Sequence, residues 1–552
     1  VGEQDPVAGF EPGVGIYVDD IYLNRPQGAV LDLYDVERLE VLRGPQGTLY
    51  GRNTIGGAIK YVTRGLSDEP ELKVKLAYGS YNQTDVVVTG SMPLSDDFRI
   101  GATVAKFDRD GFGDNLFKGD GNYTKDILGA RFSAEWDIAE NFYIHATGEY
   151  SQDDSGPRWG DRLLVGVISG APILPDRYDT RGGQEVPIGS VEVKGASVVA
   201  GWTIDDNITL KYIFGYRWDE TFQAIDSDSL PIADLDVPIY HLKKQTSHEL
   251  QLQFTGDRLN GVAGFYYLDA SAFNQFDILV DQLGTIIGLP GLNPQIIGDV
   301  ATETWSVFAD FSYDLNDQWS VSAGGRYTSD KRDARVLRRT FIGGLSPFFG
   351  GSGFPIATTS DFSGNGNFTD FSPRVSVSFA PNESHNLYFS YSEGFKGGGF
   401  DPRGQTIAAP DTSGDGTVSA EEVFEYMAFD PEALTSYELG LKSSFLDGRV
   451  NTSLAVFFGD YTDVQIPGSM GFDSNGDGFQ DSLIGITTNA GKAEIPGFEF
   501  EGRAIANEHF SVGWAIGYLD PKYKQFIDVT GNDVADQAVF QNTPKWTAHG
   551  NA

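Results

Sequence analysis

The strongest constraint on this chain is a period-two alternation of apolar and polar residues that begins at Glu71 and recurs down the chain. Successive side chains of a β-strand point to opposite faces, so one face of such a strand suits an apolar environment and the other suits water. The first alternating segment sets Leu72, Val74, Leu76 and Tyr78 against Lys73, Lys75, Ala77 and Gly79. Equivalent segments are residues 128–136, 142–147, 208–214, 249–254 and 305–312. The pattern predicts an all-β structure, and both a half-buried sandwich and a membrane barrel satisfy it.

The lengths of the connections favour the barrel. Short turns, such as residues 139–140, 257–258 and 446–448, alternate with long polar loops, for which we predict residues 153–188 and 328–368. Short connections on one side and long ones on the other are typical of outer-membrane barrels. We identify about 18 candidate strands, against the roughly 22 of plugged outer-membrane transporters. The predicted fold is therefore a transmembrane antiparallel β-barrel.

Composition agrees with this class and excludes others. The mean hydropathy is only -0.25, which suits a barrel because only alternate residues face lipid. The sequence has no run of the roughly 18 apolar residues that a membrane helix needs. With 40 Lys+Arg against 78 Asp+Glu, the net charge of -38 repels nucleic acid. The absence of Cys excludes disulfides, thiolate metal sites and a cysteine nucleophile.

A glycine-rich segment precedes the alternating region. An apolar strand with Val36, Leu39, Val41 and Leu42 runs into Gly44-Pro45, a second turn at Gly47, and then Gly56-Gly57. Glycines of this kind mark sharp turns or close packing of the backbone. No Gly-Lys-Ser/Thr follows them, which disfavours a phosphate-binding loop. A turn region of an ordinary α/β domain is the remaining alternative for this segment taken alone.

The order of strand and glycine turns in residues 35–59 resembles the plug domain of TonB-dependent outer-membrane receptors. Residues 388–400, 430–432 and 436–442 are similar to barrel segments of the same family. The resemblance implies that residues 1–66 are the C-terminal part of an α/β plug domain and that residues 71–552 are a barrel truncated at its C-terminal end. It also implies a missing upstream energy-coupling box and about four missing strands. We therefore expect open sheet edges, which cannot sit unpaired in lipid.

The resemblance further implies a function. It predicts energy-coupled import across the outer membrane of a Gram-negative bacterium, driven by an inner-membrane TonB-type complex, with a ferric siderophore or other iron complex as ligand and no required cofactor. Carbohydrate and cobalamin are alternative ligands, and an adhesin or a passive channel is an alternative of another class. The plug residues predicted to face the barrel wall or the ligand are Arg43, Gln46, Tyr50, Arg52 and Asn53. Simple turn formation and core packing is the alternative role for these five residues.

Catalytic patterns are poorly represented. The six histidines are scattered, and the sequence contains neither His-Glu-x-x-His nor Gly-x-Ser-x-Gly. The sequence therefore predicts that the protein is not an enzyme.

Two acidic loops have the spacing of calcium-binding EF-hand loops. The first places oxygen-bearing residues at positions 1, 3, 5, 7, 9 and 12 and glycine at position 6; these residues are Asp411, Ser413, Asp415, Thr417, Ser419 and Glu422. The second repeats the first nine positions with Asp473, Asn475, Asp477, Phe479 and Asp481, but has Ile484 where the bidentate acid belongs. We predict calcium in these external loops, more weakly in the second; ion-free Asx turns are the alternative.

Overall fold

The computed structural model describes residues 7–24, 35–158, 162–166, 169–184, 189–472, 482–528 and 531–552. A small mixed sheet forms the plug, and a large antiparallel sheet forms a barrel. The plug elements are β1 (Val14–Val18), β2 (Ile21–Leu23), β3 (Val36–Arg43), α1 (Gly47–Tyr50) and β4 (Gly57–Thr63). Strand β1 pairs in parallel with β4 and antiparallel with β2, and β3 pairs antiparallel with β4.

The remaining strands follow in chain order. They are β5 (Glu71–Tyr78), β6 (Thr84–Ser95), β7 (Phe98–Arg109), β8 (Gly113–Asp114), β9 (Gly121–Asn122), β10 (Lys125–Ala139), β11 (Phe142–Asp153), β12 (Ser190–Thr203), β13 (Ile208–Asp226), β14 (Asp236–Thr255), β15 (Leu259–Asp277), β16 (Asn293–Asp314), β17 (Trp319–Ile342), β18 (Phe354–Asn382), β19 (His385–Lys396), β20 (Gly399–Phe400), β21 (Ala428–Phe429), β22 (Glu432–Phe445), β23 (Val450–Phe472), β24 (Ser482–Asn507), β25 (Phe510–Leu519), β26 (Lys522–Phe526) and β27 (Trp546–Asn551). Two helices, α2 (Asp281–Ile286) and α3 (Ala420–Met427), lie in connections between strands. Among the described residues, no helix is both long and apolar enough to cross a membrane.

The barrel sheet contains every strand from β5 onward except the two small pairs β8–β9 and β20–β21. Both β25 and β26 pair with β24, at successive stretches of that strand, so they are two parts of one interrupted strand. Counted in this way, the described residues form 18 barrel strands. The sequence prediction of an antiparallel barrel preceded by a plug is confirmed, with about the expected number of strands.

The seam between the first and last barrel strands bears on our expectation of open edges. In the strand order β27 stands next to β5. Residue registers run from β5 round to β27, but among the described residues no register joins β27 to β5. Strand twist and tilt bring the two ends of this large sheet round toward each other, and the expectation of open edges stays a prediction. That further strands belong to the barrel stays a prediction.

Two neighbouring strands show how the barrel meets the membrane. On the outward face of β16, apolar residues run from Trp305 to Tyr313, and on β17 they run from Trp319 to Tyr327. Each stretch is about 27 Å along the strand, the scale of an outer-membrane apolar band of roughly 25 Å. The rings of Trp305 and Tyr327 lie 5.6 Å apart, as in an interfacial aromatic girdle. The inward face of the same strands carries buried polar residues.

The predicted long loop at residues 328–368 is wrong in its extent. Strand β17 continues to Ile342 and β18 begins at Phe354, so the loop covers only residues 343–353. The backbone ladder continues beyond the membrane, while the outward residues there become charged, as at Lys331, Asp333 and Arg335. Once both strand faces meet water or polar groups, the apolar alternation disappears although the strand persists. The predicted short turns, in contrast, all lie between consecutive paired strands.

Candidate functional site

A cluster of four buried charged side chains joins the plug to the barrel wall. The plug contributes Glu11 and Arg52, and β17 contributes Asp330 and Arg332. Arg52 donates to both Asp330 carboxylate oxygens at 3.0 Å and to Glu11 at 3.1 Å. Arg332 donates to Glu11 at 2.7 Å and to Asp330 at 3.0 Å. None of the four side chains is more than 4% exposed. We call these residues the plug–wall ion cluster.

Local structure explains how these groups meet. Alternation along β17 directs Arg326, Thr328, Asp330 and Arg332 into the lumen, and all four are buried. Arg52 comes directly after helix α1, where a tight turn brings the plug backbone against the wall. The cluster contains two positive and two negative groups, so burial leaves no net charge. Arg52 Nε is the one nitrogen of the cluster that is buried without a partner among the described residues. A neutral arrangement with this many hydrogen bonds is the condition under which buried charges are tolerated.

Two glycines make this close approach possible. A Cβ on Gly47 would lie 2.7 Å from the Glu393 carbonyl oxygen and from Ser372 Oγ. A Cβ on Gly51 would lie 2.8 Å from the Arg326 guanidinium carbon, and the φ of Gly51 is +84°. A larger residue at Gly47 would push the plug away from the wall, whereas one at Gly51 would require a strained backbone and a shift of the Arg326 side chain.

The sequence candidates at the plug fall into two groups. Three of them contact the wall. Arg52 belongs to the plug–wall ion cluster. The Asn53 N–H donates to the Phe395 carbonyl of β19 at 2.9 Å, and Asn53 Oδ1 accepts from the Gly397 N–H just beyond β19 at 3.1 Å. Arg43 forms ion pairs with Glu499 and with Glu501, the latter at 2.7 Å, but its side chain is 57% exposed.

The other two candidates bind within the plug. Gln46 donates from Nε2 to the carbonyls of Arg43 and Gly44 at 3.3 and 3.4 Å, so it stabilises its own turn. The ring of Tyr50 lies 5.0 Å from that of Tyr17, whose hydroxyl donates to the Tyr50 carbonyl at 2.8 Å. The turn-forming alternative therefore describes Gln46, and plug packing describes Tyr50.

A cavity of about 220 Å³ separates part of the plug from the wall. Its plug side includes Tyr50, Arg52 and Lys60, and its wall side includes Glu249 and Arg326. The lining is mixed: charged groups of both signs stand beside apolar residues such as Leu49, Ile213 and Phe308. Such a space is the kind of site at which a small movement of the plug would widen a path along the wall.

An external segment covers the plug from the other side. Residues 397–431 connect β19 to β22 on the long-loop side of the barrel. Within this segment, Phe400 and Met427 are each 1% exposed and pack in one cluster with Ala8 of the plug. The ring of Phe429 lies 5.1 Å from that of Phe10. The external loop and the plug therefore share an apolar contact surface.

The first calcium-type loop lies in this covering segment and leads into α3. Glu422 accepts hydrogen bonds from the backbone N–H groups of Ser419 and Ser413, both at 2.7 Å. These bonds, together with those from the Ser419 and Thr412 hydroxyls, lower the pKa of Glu422 to about 2. Asp411 accepts from the N–H groups of Gly414 and Gly416 at 2.7 and 2.8 Å. The acidic groups thus fold onto their own loop. The second predicted loop, residues 473–481, lies outside the described residues.

Sequence reasoning missed three members of the plug–wall ion cluster: Glu11, Asp330 and Arg332. Glu11 precedes the glycine-rich segment, and the two wall residues fall in the region that we predicted to be loop. The sequence did contain a signal for the two wall residues. Arg326, Thr328, Asp330 and Arg332 are every second residue of β17, so they share its inward face. Charged residues at such inward-facing positions, beyond the membrane boundary, indicate contact with a structure inside the lumen.

Fold and site together define a class: a membrane β-barrel whose lumen holds a plug fixed by polar bonds. The chain belongs to the TonB-dependent receptor family, because the family model "TonB dependent receptor-like, beta-barrel" matches residues 73–550 and the TonB-dependent Receptor Plug Domain matches residues 6–58. The predicted family is confirmed. Barrels of this family are outer-membrane proteins of Gram-negative bacteria, as predicted, and its members are transport receptors.

Individual relatives are distant in sequence but close in fold. The pesticin receptor of Yersinia enterocolitica is 22% identical over 526 residues, covering 92% of this chain and 66% of the relative. The ferric yersiniabactin uptake receptor FyuA from Yersinia pestis has a TM-score of 0.73 at 19% identity, covering 98% of this chain and 74% of that one. The siderophore receptor PiuA from Acinetobacter baumannii has a TM-score of 0.71 at 15% identity, with coverages of 100% and 80%. This chain thus spans just under two thirds of the length of the pesticin receptor.

Proposed function

We propose that the complete protein imports a ferric siderophore or a similar iron chelate across the outer membrane, with energy supplied by a TonB-type inner-membrane complex. The observation that carries this proposal is a plug held in the barrel lumen by the plug–wall ion cluster. The buried hydrogen bonds of this cluster hold the plug in place at rest, and water can replace them when the plug is pulled. No covalent chemistry is needed, since transport requires only that ligand affinity differs between two plug states.

The remaining interface supports the same mechanism. The 220 Å³ cavity beside Arg52 has charged groups on both its plug side and its wall side, among apolar residues such as Leu49 and Phe308. These charged groups can be hydrated when a shift of the plug joins this space to the bulk solvent. The external segment that packs on Ala8 and Phe10 provides a route by which ligand capture outside reaches the plug.

An iron chelate is the proposed ligand because the similar proteins named above include a ferric yersiniabactin uptake receptor and a siderophore receptor. Carbohydrate and cobalamin remain the alternative ligands. A passive channel is disfavoured by the plug in the lumen. An adhesin would bind its target at the surface and would not need the energy-coupling complex.

Uptake by cells that express the complete parent protein tests this proposal. Cells receive iron-labelled yersiniabactin, a catecholate siderophore or a hydroxamate siderophore, with and without a protonophore. We expect one of the three chelates to accumulate, and the protonophore to abolish its accumulation. Accumulation that ignores the protonophore would indicate passive passage. No accumulation of any chelate would move the search to carbohydrate, cobalamin or adhesion.

We also propose that calcium binds the loop at residues 411–422. Its spacing and its position support this: the loop leads into α3, and Met427 at the end of α3 packs on the plug. Binding there would order the external segment that covers the plug.

A further inference from the structure

Three buried aspartates meet where external loops converge, away from both the plug–wall ion cluster and the calcium-type loops. Asp226 ends β13 and Asp236 begins β14, and the two face each other across the ladder. Asp228 lies in the loop between them. The three side chains offer carboxylate oxygens that all lie within 4.8 Å of one another. All three residues are buried, with Asp226 only 1% exposed.

Two of these carboxylates have an oxygen with no hydrogen-bond partner. Oδ2 of Asp226 and Oδ1 of Asp236 are buried and accept no bond among the described residues. Leaving a buried anionic oxygen unpaired is costly, so such atoms call for an explanation. The neighbouring segment adds to this pattern, because the side-chain amide of Gln184 is also buried, and its oxygen and nitrogen have no hydrogen-bond partner among the described residues.

The third carboxylate is held rigidly. Asp228 accepts from the Leu230 N–H at 2.7 Å on one oxygen, and from the N–H groups of Asp234 and Leu235 at 2.5 and 2.6 Å on the other. A carboxylate oxygen has further lone-pair capacity, so these bonds orient Asp228 without using all of it. Lys118 and Arg162, the cationic side chains that bond to this region, donate to the backbone carbonyls of Gln184 and Asp228.

We propose that Asp226, Asp228 and Asp236 bind one calcium ion. Calcium takes six to eight oxygen ligands at 2.3–2.6 Å, so two ligands of one ion lie at most about 5 Å apart, which the 4.8 Å spacing satisfies. All three side chains supply hard oxygen donors, and the chain has no cysteine thiolate to favour a softer metal. Carbonyl oxygens and water complete the shell. The ion compensates the negative charge of three carboxylates that are buried side by side.

The position of this site gives the ion a structural role. The loop of residues 227–235 is bonded to residues 180–184, since the Gly183 N–H donates to the Leu230 carbonyl at 2.7 Å. Those residues are bonded in turn to the loop after β7, where Asn115 donates to the Gly182 carbonyl at 2.9 Å. A calcium ion here fastens three external loops to one another. The inference does not depend on which ligand the receptor imports.

Calorimetric titration of the chelator-treated full-length protein in detergent with CaCl₂ tests the proposal. The diagnostic variant is Asp226→Asn with Asp236→Asn, which keeps the shape of both side chains and removes two carboxylates. The control is Asp176→Asn, an exposed aspartate in the loop after β11 whose carboxylate accepts from the Tyr178 N–H at 2.9 Å. We expect the aspartate site to bind calcium with a dissociation constant of about 10⁻⁴ to 10⁻³ M, as in extracellular modules, in addition to any binding by loops 411–422 and 473–481. That site should weaken at least tenfold in the double variant and stay unchanged in the control.

Thermal unfolding supplies a second readout that a purely structural cluster would not reproduce. In chelator, the double variant should melt at or above the temperature of the wild type, because two repelling charges are gone. Calcium should raise the melting temperature of the wild type and of the control by more than it raises that of the double variant. Wild-type protein that binds no calcium, or a double variant that keeps the same number and affinity of calcium sites, would overturn the proposal. Loops 411–422 and 473–481 retain their own acids in the variant, so any binding by them is unaffected.

Discussion

Arg52 of the plug and Asp330 of the barrel wall are joined by two hydrogen bonds of 3.0 Å in a fully buried setting. Arg52 also bonds to Glu11, and Asp330 to Arg332, so each charge has partners on both sides of the interface. The plug–wall ion cluster is therefore a buried set of exchangeable polar bonds that positions the plug, in addition to other plug–wall pairs such as those of Arg43. We infer that this buried cluster contributes more to how firmly the plug is held than the exposed pairs do.

Removing one member of the plug–wall ion cluster should unseat the plug. Arg52→Met leaves Glu11 and Asp330 to share Arg332, and breaking a buried pair in this way costs roughly 3–5 kcal/mol. The matched control is Arg43→Met, whose ion pairs with Glu499 and Glu501 are exposed and worth about 0–1 kcal/mol. Hydrogen exchange of plug strand β4 measures the effect. Equal protection of β4 in the two variants would contradict the assignment.

The position of the lipid boundary on β16 can be tested by substituting two alanines that lie on the same outward face of this strand. Ala309 lies midway between Trp305 and Tyr313, whereas Ala301 lies beyond Trp305 among Asp299 and Glu303. We expect Ala309→Arg to destabilise the folded barrel by roughly 2–4 kcal/mol and Ala301→Arg to have little effect. Denaturant unfolding in lipid vesicles measures both. Similar losses at the two positions would show that the membrane boundary is misplaced.

Calcium at residues 411–422 should depend on Glu422 and not on its neighbour. Glu422 has both carboxylate oxygens turned onto its own loop, so a cation must compete with the Ser413 and Ser419 N–H groups. We therefore expect weak binding, with a dissociation constant of about 10⁻³ M. Calcium should protect the loop from protease in the wild type and in Glu421→Gln, but not in Glu422→Gln. Identical protection of all three proteins would refute a role for Glu422.

The aspartate cluster should make loop stability depend on pH in the absence of calcium. Burial and the neighbouring Asp228 raise the pKa of Asp226 to about 6, and burial together with Asp226 and Asp228 raises that of Asp236 to about 8. The charges of Asp234 and Lys118 also affect the pKa of Asp236, which Asp234 raises and Lys118 lowers. A carboxyl with a raised pKa holds its proton more tightly when folded, so protonation stabilises the loop and this stability is lost as pH rises through 6 and 8.

Hydrogen-exchange protection factors for residues 227–235 measure this dependence between pH 5 and pH 9. We expect protection in chelator to be greatest at pH 5 and to fall toward pH 9. Calcium should remove most of the decline, and so should Asp226→Asn with Asp236→Asn. Protection that increases toward pH 9 in chelator would contradict the assigned direction of the pKa shifts.

Local patterns made the barrel predictable. Alternation identifies β16 from its outward Trp305, Val307 and Phe311, because these residues follow one another along the same strand and need no distant partner. The short turns are predictable for the same reason. Strand ends outside the membrane are not, since β17 and β18 continue past the lipid where no apolar face is required.

Sites built from distant residues left much weaker traces. Arg52 and Asp330 are 278 positions apart, and Glu11 and Arg332 are 321 apart. Their pairing depends on where the plug sits in the barrel, which no local pattern encodes. The same holds for Asp226 and Asp236: their spacing matches no metal-binding motif, and only the β13–β14 ladder brings them face to face.

The most direct test of the proposed import mechanism is a reversible tether between plug and wall. A Cβ at Gly298 of the wall would lie 3.3 Å from the Cβ of Ala8 in the plug, close to the 3.5–4.5 Å of a disulfide. It would also lie 2.8 Å from Asn274 Oδ1 and 2.9 Å from the Cβ of Pro402, so these two residues must shift slightly to admit it. This chain has no native cysteine, so within it Ala8→Cys with Gly298→Cys can form only this bond. We expect cells with the oxidised variant to import no labelled iron chelate and to regain import after a reductant, whereas each single variant imports in both states. Full import through the cross-linked protein would contradict the claim that the plug must move relative to the wall.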